Sequence, residues 1–237
     1  MGDSLNIKPE AEVRYTEDRW KLLQRKRMRA KETISILKDA GLVSFVYGSI
    51  ARGDVEESSD VDVVIPRPTL PHSLIEEMVS KELGDPLCRE IVQATPQSTP
   101  KYYIHYSDST TISMPIGRLR EREEEFYKFG GMLDLRGIIV NLRVPGVSKE
   151  LKLIYPTNFG HVEYPVVGNE EIVAKILGVT RYTVDERVRV LTKRRILGTT
   201  GLYVNYRLQP DENFEEALRK LKMTKKGFRN RLSEEYL

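Results

Sequence analysis

The stretch from Val46 to Ile65, VYGSIARGDVEESSDVDVVI, restricts what this chain can fold into more than any other. The apolar run Phe45-Val46-Tyr47 ends at Gly48-Ser49, which reads as a buried strand entering a turn. A residue without a side chain there lets backbone N–H groups approach an anion, and Ser49 adds a hydroxyl. After a polar, turn-forming loop, Asp60-Val61-Asp62-Val63-Val64-Ile65 alternates at the strand period, so Asp60 and Asp62 share one face while Val61 and Val63 point to the core. The two carboxylates stand roughly 6 to 7 Å apart along the strand and repel each other unless a cation lies between them. Oxygen donors without a nearby His or Cys suit magnesium or manganese, not zinc. A phosphate-holding turn beside such an ion is the layout of metal-assisted phosphoryl or nucleotidyl transfer. The plainer alternative is a hairpin whose solvent face carries two aspartates; the combination of strand, Gly-Ser turn, spacing and alternating acids favours a site.

Gly48-Ser49 followed by Asp60-x-Asp62 resembles the signature of the DNA polymerase β-like nucleotidyltransferase superfamily. The flanks Ala51-Arg52-Gly53 and Ser59-Asp60 are similar to those of its small, minimal members. The resemblance implies an α/β (α+β) fold, a mixed sheet with flanking helices, that uses an NTP as substrate with Mg2+ or Mn2+. It implies that Gly48 and Ser49 hold the β- and γ-phosphates, that Arg52 offsets their charge, and that Asp60 and Asp62 are catalytic metal ligands. It also implies a third carboxylate on a neighbouring strand, as ligand and general base. Glu90, in Arg89-Glu90-Ile91-Val92, is the residue expected in that role. If the later hairpin is the matching strand, the position falls near Ser113, which cannot serve, and Asp108 reads as a turn former.

With 237 residues the chain has room for two domains with separate cores. Its 40% hydrophobic and 31% charged residues exclude a disordered or membrane-embedded class. No apolar run approaches the roughly 20 residues of a membrane span, and the N-terminus lacks a basic-then-apolar pattern, so a cytoplasmic protein without membrane contact is expected. The single cysteine, Cys88, excludes an internal disulfide and a Cys-rich zinc site. His72, His105 and His161 are scattered, and no Walker-type loop occurs. The net charge of +3 is unevenly spread: Val166 to Leu237 holds 15 Lys/Arg against 10 Asp/Glu, a net of +5, which leaves −2 for the rest.

In chain order, residues up to Arg14 read as loose. A helix follows from Thr16 to about Asp39, with a buried stripe at Trp20, Leu23, Ala30, Ile34 and Leu37 and a basic face of Arg25, Lys26, Arg27, Arg29 and Lys31 that reads first as solvated. Beyond the signature come a helix capped by Ser73, a strand at Leu87 to Ala94, and a hairpin around Ser107-Asp108-Ser109. Arg118 to Lys128 reads as an exposed helix, and the runs at Ile138 to Val140 and Leu151 to Tyr155 as strands. Asp134 and His161 read as structural polar residues. From Val166, two short helices around Gly178, then Gly198-Thr199-Thr200-Gly201 and the alternating Leu202 to Leu208, have the offsets of a winged helix-turn-helix, with a basic tail helix after it. There Arg181, Tyr182, Thr183 and Arg187 would line a recognition helix and Lys193, Arg194 and Arg195 would meet phosphates; docking or dimerisation is the rival role. The expected division is a nucleotidyltransferase-like domain at 1–129, an extended connection at 130–165 and a winged helix-turn-helix-like domain at 166–237. The expected function is transfer of an NMP from an NTP to a hydroxyl of nucleic acid or protein. The alternatives are a nucleic-acid-binding regulator with a silent first domain and, less favoured, a transferase that modifies a partner protein. Homodimerisation is left open.

Overall fold

The computed structural model describes residues 7–106, 109–198 and 201–233. Strand β1 (Ala11–Arg14) pairs antiparallel with a distant strand, where the sequence reads as loose; four residues of alternation are too short a signal to stand out. The Thr16 hydroxyl then accepts the Arg19 amide at 3.3 Å, and acidic residues fill the first turn of helix α1 (Glu17–Asp39). Leu23, Ala30, Ile34 and Leu37 of its stripe are buried, and Gly41, with φ at 74°, follows its end. The next strands and long helix come in the order the sequence predicts, β2 (Phe45–Tyr47), β3 (Val61–Val64), α3 (His72–Leu83), β4 (Cys88–Gln93), β5 (Lys101–His105) and β6 (Thr110–Pro115), while the turn after β2 winds into a one-turn helix, α2 (Ser49–Arg52), that the sequence reading does not include. Ser107 and Asp108 of the expected turn lie outside the described residues. Pro71, not Ser73, occupies the N-cap position of α3, with no side-chain cap bond; the Ser73 hydroxyl donates to Glu215 at 2.7 Å.

Helix α4 (Glu121–Gly130) is not merely exposed: it buries Glu125, Tyr127 and Phe129. After β7 (Met132–Leu133), Ile138 and Ile139 end a helix, α5 (Leu135–Ile139), instead of forming a strand. The reason is local, since the Asp134 carboxylate accepts the Gly137 amide at 2.8 Å and nucleates a turn. Then follow β8 (Gly146–Val147), β9 (Lys152–Thr157), β10 (Gly160–Pro165), α6 (Glu170–Leu177), α7 (Arg181–Leu197), β11 (Val204–Arg207), α8 (Phe214–Thr224) and α9 (Lys226–Ser233). Thr199 and Thr200 of the expected wing turn lie outside the described residues.

Contacts group the described residues into two units that interleave along the chain: those of 1–31, 46–59 and 121–200, and those of 32–45, 60–120 and 201–237. The first holds an antiparallel sheet ordered β1-β10-β9-β8 and the β2–β7 pairing, Val46 opposite Leu133 and Tyr47 opposite Met132. Its core gathers Phe129, Val147, Leu153, Val166, Val173, Ala174 and Val184. Ala174 and Val184 thus pack α6 against α7 across the left-handed Gly178, as their offsets predict.

The second unit holds the ladder β11-β4-β5-β6-β3, antiparallel except where β3 runs parallel to β6. One face is apolar: Val61, Val63, Ile91, Tyr102, Ile104, Ile112 and Met114 are all buried. Helices α3 and α8 cover it, with the Tyr102 hydroxyl on Glu76 at 2.5 Å and the Phe214 ring 4.8 Å from that of Tyr102. Because directly opposed residues share a face, the other side carries Asp62, Thr111, Ser113, Tyr103, His105, Glu90 and Arg207. The segment expected as a wing is β11, paired along β4 with Arg207 opposite Glu90. Its two-residue alternation suits any half-buried edge strand, and β4 offered the free edge.

Candidate active site

The turn of the signature is built in the first unit. Gly48 sits at φ 78° and ψ −144°, a conformation that only glycine adopts readily. Its N–H donates to the Gly131 carbonyl at 2.9 Å, and its carbonyl accepts the Ala51 and Arg52 amides at 3.1 Å each, closing α2. The Gly48 amide is therefore engaged in the fold, and the half-buried Ser49 hydroxyl is the polar group that the turn presents. Beneath α2, buried Arg27 donates to the Ile50 carbonyl at 3.1 and 3.0 Å and to that of Ala51 at 3.1 Å. Burial, aided by Arg143, lowers its pKa to about 10, which keeps it a cation at neutral pH. Lys26 caps the Glu57 and Ser59 carbonyls at 2.9 and 2.5 Å, and Arg25 pairs with Glu57 at 3.0 Å. The basic face of α1, read first as solvated, thus holds the signature loop in shape.

Arg52 is engaged within the fold. It is buried, and its guanidinium forks onto Asp54 at 3.0 and 2.8 Å while donating to the Gly130 carbonyl at 2.7 Å. Those bonds lock the turn from inside and direct the cation away from the phosphate role expected for it.

The acidic strand belongs to the second unit. Asp60 is exposed and Asp62 half-buried, with Val61 and Val63 buried on the reverse face, as the alternation predicts. On the adjoining strand β6, Thr111 stands opposite Asp62 and Ser113 opposite Val64, so no carboxylate flanks the pair there. Glu90 stands apart from the acidic pair. It lies on the same face but three strands away, on the order of 14 Å at the usual interstrand spacing. Its carboxylate accepts from His105 Nε2 at 3.2 Å, and that bond is the main reason its pKa lies below the ordinary value. Among the described residues no three His, Cys, Asp or Glu side chains gather as a metal site.

The family model of the nucleotidyltransferase domain matches residues 27–113. That span holds Gly48, Ser49, Asp60 and Asp62 and ends on β6, so the likeness to a nucleotidyltransferase domain lies in the part of the chain that carries the signature. The mixed α/β sheet with flanking helices is consistent with that fold. No curated protein matches the chain. Among the described residues no helix is long and apolar enough to cross a membrane. Nucleotidyltransferase domains generally use an NTP and a divalent metal, and the carboxylates of Asp60 and Asp62 are oxygen donors of the kind that hard divalent ions take.

Beyond the nucleotidyltransferase match, the residues expected at a nucleic-acid surface divide. Arg181 and Tyr182 are exposed at the start of α7, Arg181 near Glu171 at 3.4 Å and Asp185 at 3.6 Å, and Tyr182 under the Arg122 guanidinium at 4.9 Å. Lys193, Arg194 and Arg195 are exposed near its end. Thr183 is buried instead, its hydroxyl bonded to Glu125, which also accepts the Thr180 hydroxyl at 2.7 Å and amide at 3.0 Å. Burial alone would raise the Glu125 pKa; the bonds from Thr183 and Thr180 outweigh it and hold the carboxyl below its ordinary range. Arg187 covers the Phe126 ring at 4.8 Å. Thr183 and Arg187 therefore serve packing within the unit. Asp134 caps α5, and buried His161 bonds Tyr15 at 2.6 Å, the structural roles expected of both. A cleft of about 760 Å³ lined by Glu76, Arg89 and Phe214 holds none of the signature residues, and its Arg89 is taken up by Glu76 at 3.0 Å and two backbone carbonyls.

Proposed function

We propose that this protein is a metal-dependent nucleotidyltransferase that moves an NMP from an NTP to a hydroxyl acceptor of nucleic acid or protein and releases pyrophosphate. The observation that carries the reading is the acidic strand: Asp60 and Asp62 alternate with buried Val61 and Val63 at the start of β3, inside the matched span and downstream of a glycine-serine turn. Asp60 and Asp62 would hold Mg2+ or Mn2+ together with triphosphate oxygens. When bound, the ion supplies charge neutralisation at the triphosphate and alignment of the attacking and leaving oxygens. Gly48 gives the turn its geometry and Ser49 donates its hydroxyl to the triphosphate. Arg27, Lys26 and Arg52 act indirectly, by fixing the loop on which those groups ride. Arg181, Tyr182, Lys193 and Arg194, exposed on α7, are the residues proposed to meet the phosphates of a nucleic-acid acceptor.

The test uses the purified protein with magnesium or manganese, each α-labelled NTP in turn, and RNA, DNA and cell-extract protein as acceptors. Label entering one macromolecule class under metal supports the reading and names the acceptor. Duplex binding with a steep salt slope, and no pyrophosphate from any NTP, would instead favour the regulator.

A further inference from the structure

On the polar face of the second unit, the position beside Asp62 where a third carboxylate would stand is occupied by Thr111. Thr111 does not stand alone. Its Oγ1 lies 3.0 Å from His105 Nδ1, and His105 Nε2 lies 3.2 Å from Glu90 Oε1. An ionised carboxylate can only accept, so in the neutral imidazole Nε2 carries the proton and Nδ1 is the nitrogen left to accept from the Thr111 hydroxyl. The ring is held in that orientation on a third side by Tyr103, stacked at 6.1 Å with an interplanar angle of 4°. The His105 and Glu90 side chains are 33% and 28% exposed, sheltered but not sealed. Hydroxyl, imidazole and carboxylate in series form the arrangement by which a weak oxygen base hands a proton to a histidine whose tautomer a carboxylate fixes.

We propose that Thr111, His105 and Glu90 form a proton relay that stands in for the missing carboxylate and takes the proton of the attacking hydroxyl. This rests on the nucleotidyltransferase reading. As the acceptor oxygen bonds to the α-phosphorus, its proton passes to Thr111 Oγ1 and the Thr111 proton passes to His105 Nδ1. The α-phosphorus to oxygen bond of the leaving group breaks, and pyrophosphate departs with that electron pair. The imidazolium is balanced by Glu90 and returns its proton to water after product release. Thr111 is the group that touches the acceptor; His105 and Glu90 act through it.

The experiment compares turnover and the KM for NTP in the full chain and in Thr111→Val, Thr111→Ser, His105→Ala and Glu90→Gln, with and without added imidazole, alongside Asp62→Asn. The relay predicts a fall in kcat of about a hundredfold for Thr111→Val and His105→Ala with the KM for NTP little changed. Imidazole should restore His105→Ala but neither Thr111→Val nor Asp62→Asn, and Thr111→Ser should retain activity. Valine and threonine have nearly the same shape, so a loss in Thr111→Val that Thr111→Ser does not share is not a folding effect. Turnover within twofold of the unsubstituted protein for Thr111→Val, or no imidazole rescue of a folded His105→Ala, overturns the relay while leaving the enzyme active. A protein that releases no pyrophosphate from any NTP overturns the parent reading, and the relay with it.

Discussion

Substituting Arg52 separates a structural lock from a phosphate ligand. Its fork onto Asp54 is buried, the two side chains being 8% and 12% exposed, and further bonds reach the Gly130 carbonyl at 2.7 Å and the Val147 carbonyl at 3.4 Å. Arg52→Met leaves the Asp54 carboxylate and those carbonyls without the cation. Breaking a buried pair from one side destabilises by about 3–5 kcal/mol, since an uncompensated charge remains inside. Asp54→Asn keeps an acceptor but loses the charge and should cost about 1–2 kcal/mol. The double variant should fall short of the sum by about 1.5–3 kcal/mol, the signature of a direct contact. Urea unfolding followed by the fluorescence of Trp20, the one tryptophan of the chain, reads the unit that contains both residues; far-UV dichroism on the same samples checks whether the transition is two-state. Additive losses below about 1 kcal/mol with a many-fold rise in the KM for NTP would refute this reasoning and return Arg52 to the phosphates.

Gly48→Ala should destabilise by about 1–3 kcal/mol in the same unfolding assay, all of it backbone strain, because a Cβ there meets no atom within 4 Å; an unchanged midpoint would show that the turn relaxes freely. Glu125→Gln should weaken the first unit near pH 7 and flatten its acid limb. The folded carboxyl is held below its ordinary pKa, so its stabilisation is complete above the unfolded value, near 4.3 by the usual glutamate reference of about 4.3, and is lost as pH falls through the folded value. Identical stability profiles of the two proteins from pH 7 to 3 would contradict that. Asp62→Asn should abolish NTP turnover in a protein that still unfolds cooperatively in urea; turnover within twofold of the unsubstituted protein would remove Asp62 from the site.

Much of the fold was legible in the sequence because its signals were local. Thr16 and the acids after it start α1, the buried stripe carries it to Asp39, and the alternation around Asp60 and Asp62 places β3 and its two faces. What was not legible depended on pairing across the chain. The four residues of β1 acquire meaning only opposite β10, and the alternating run at β11 looks the same whether it is a wing or the edge strand beside β4. The site divided on similar lines. The acids could be read from their period, but Arg52 and Thr183 looked available because charge and hydroxyl suggest exposure, whereas Asp54 and Glu125 draw them inward. Arg27 was missed for the converse reason: within a run of basic residues, nothing marks the one whose helical phase turns it under Ile50. Chain order puts Glu90 on the strand directly after α3, and only the strand order β4-β5-β6-β3 shows how far it stands from Asp62. The pairing of His105 with Thr111 had no sequence signal at all, since it joins two strands of a hairpin whose register the sequence leaves free.

The acidic pair is best tested by its affinity for a divalent ion. Mn2+ titrated into the protein with a non-hydrolysable NTP, followed by electron paramagnetic resonance, should show saturable, nucleotide-dependent binding that disappears in Asp60→Asn and Asp62→Asn while both variants stay folded. Equal Mn2+ and nucleotide binding by the unsubstituted protein and both variants would mean that these carboxylates face only water.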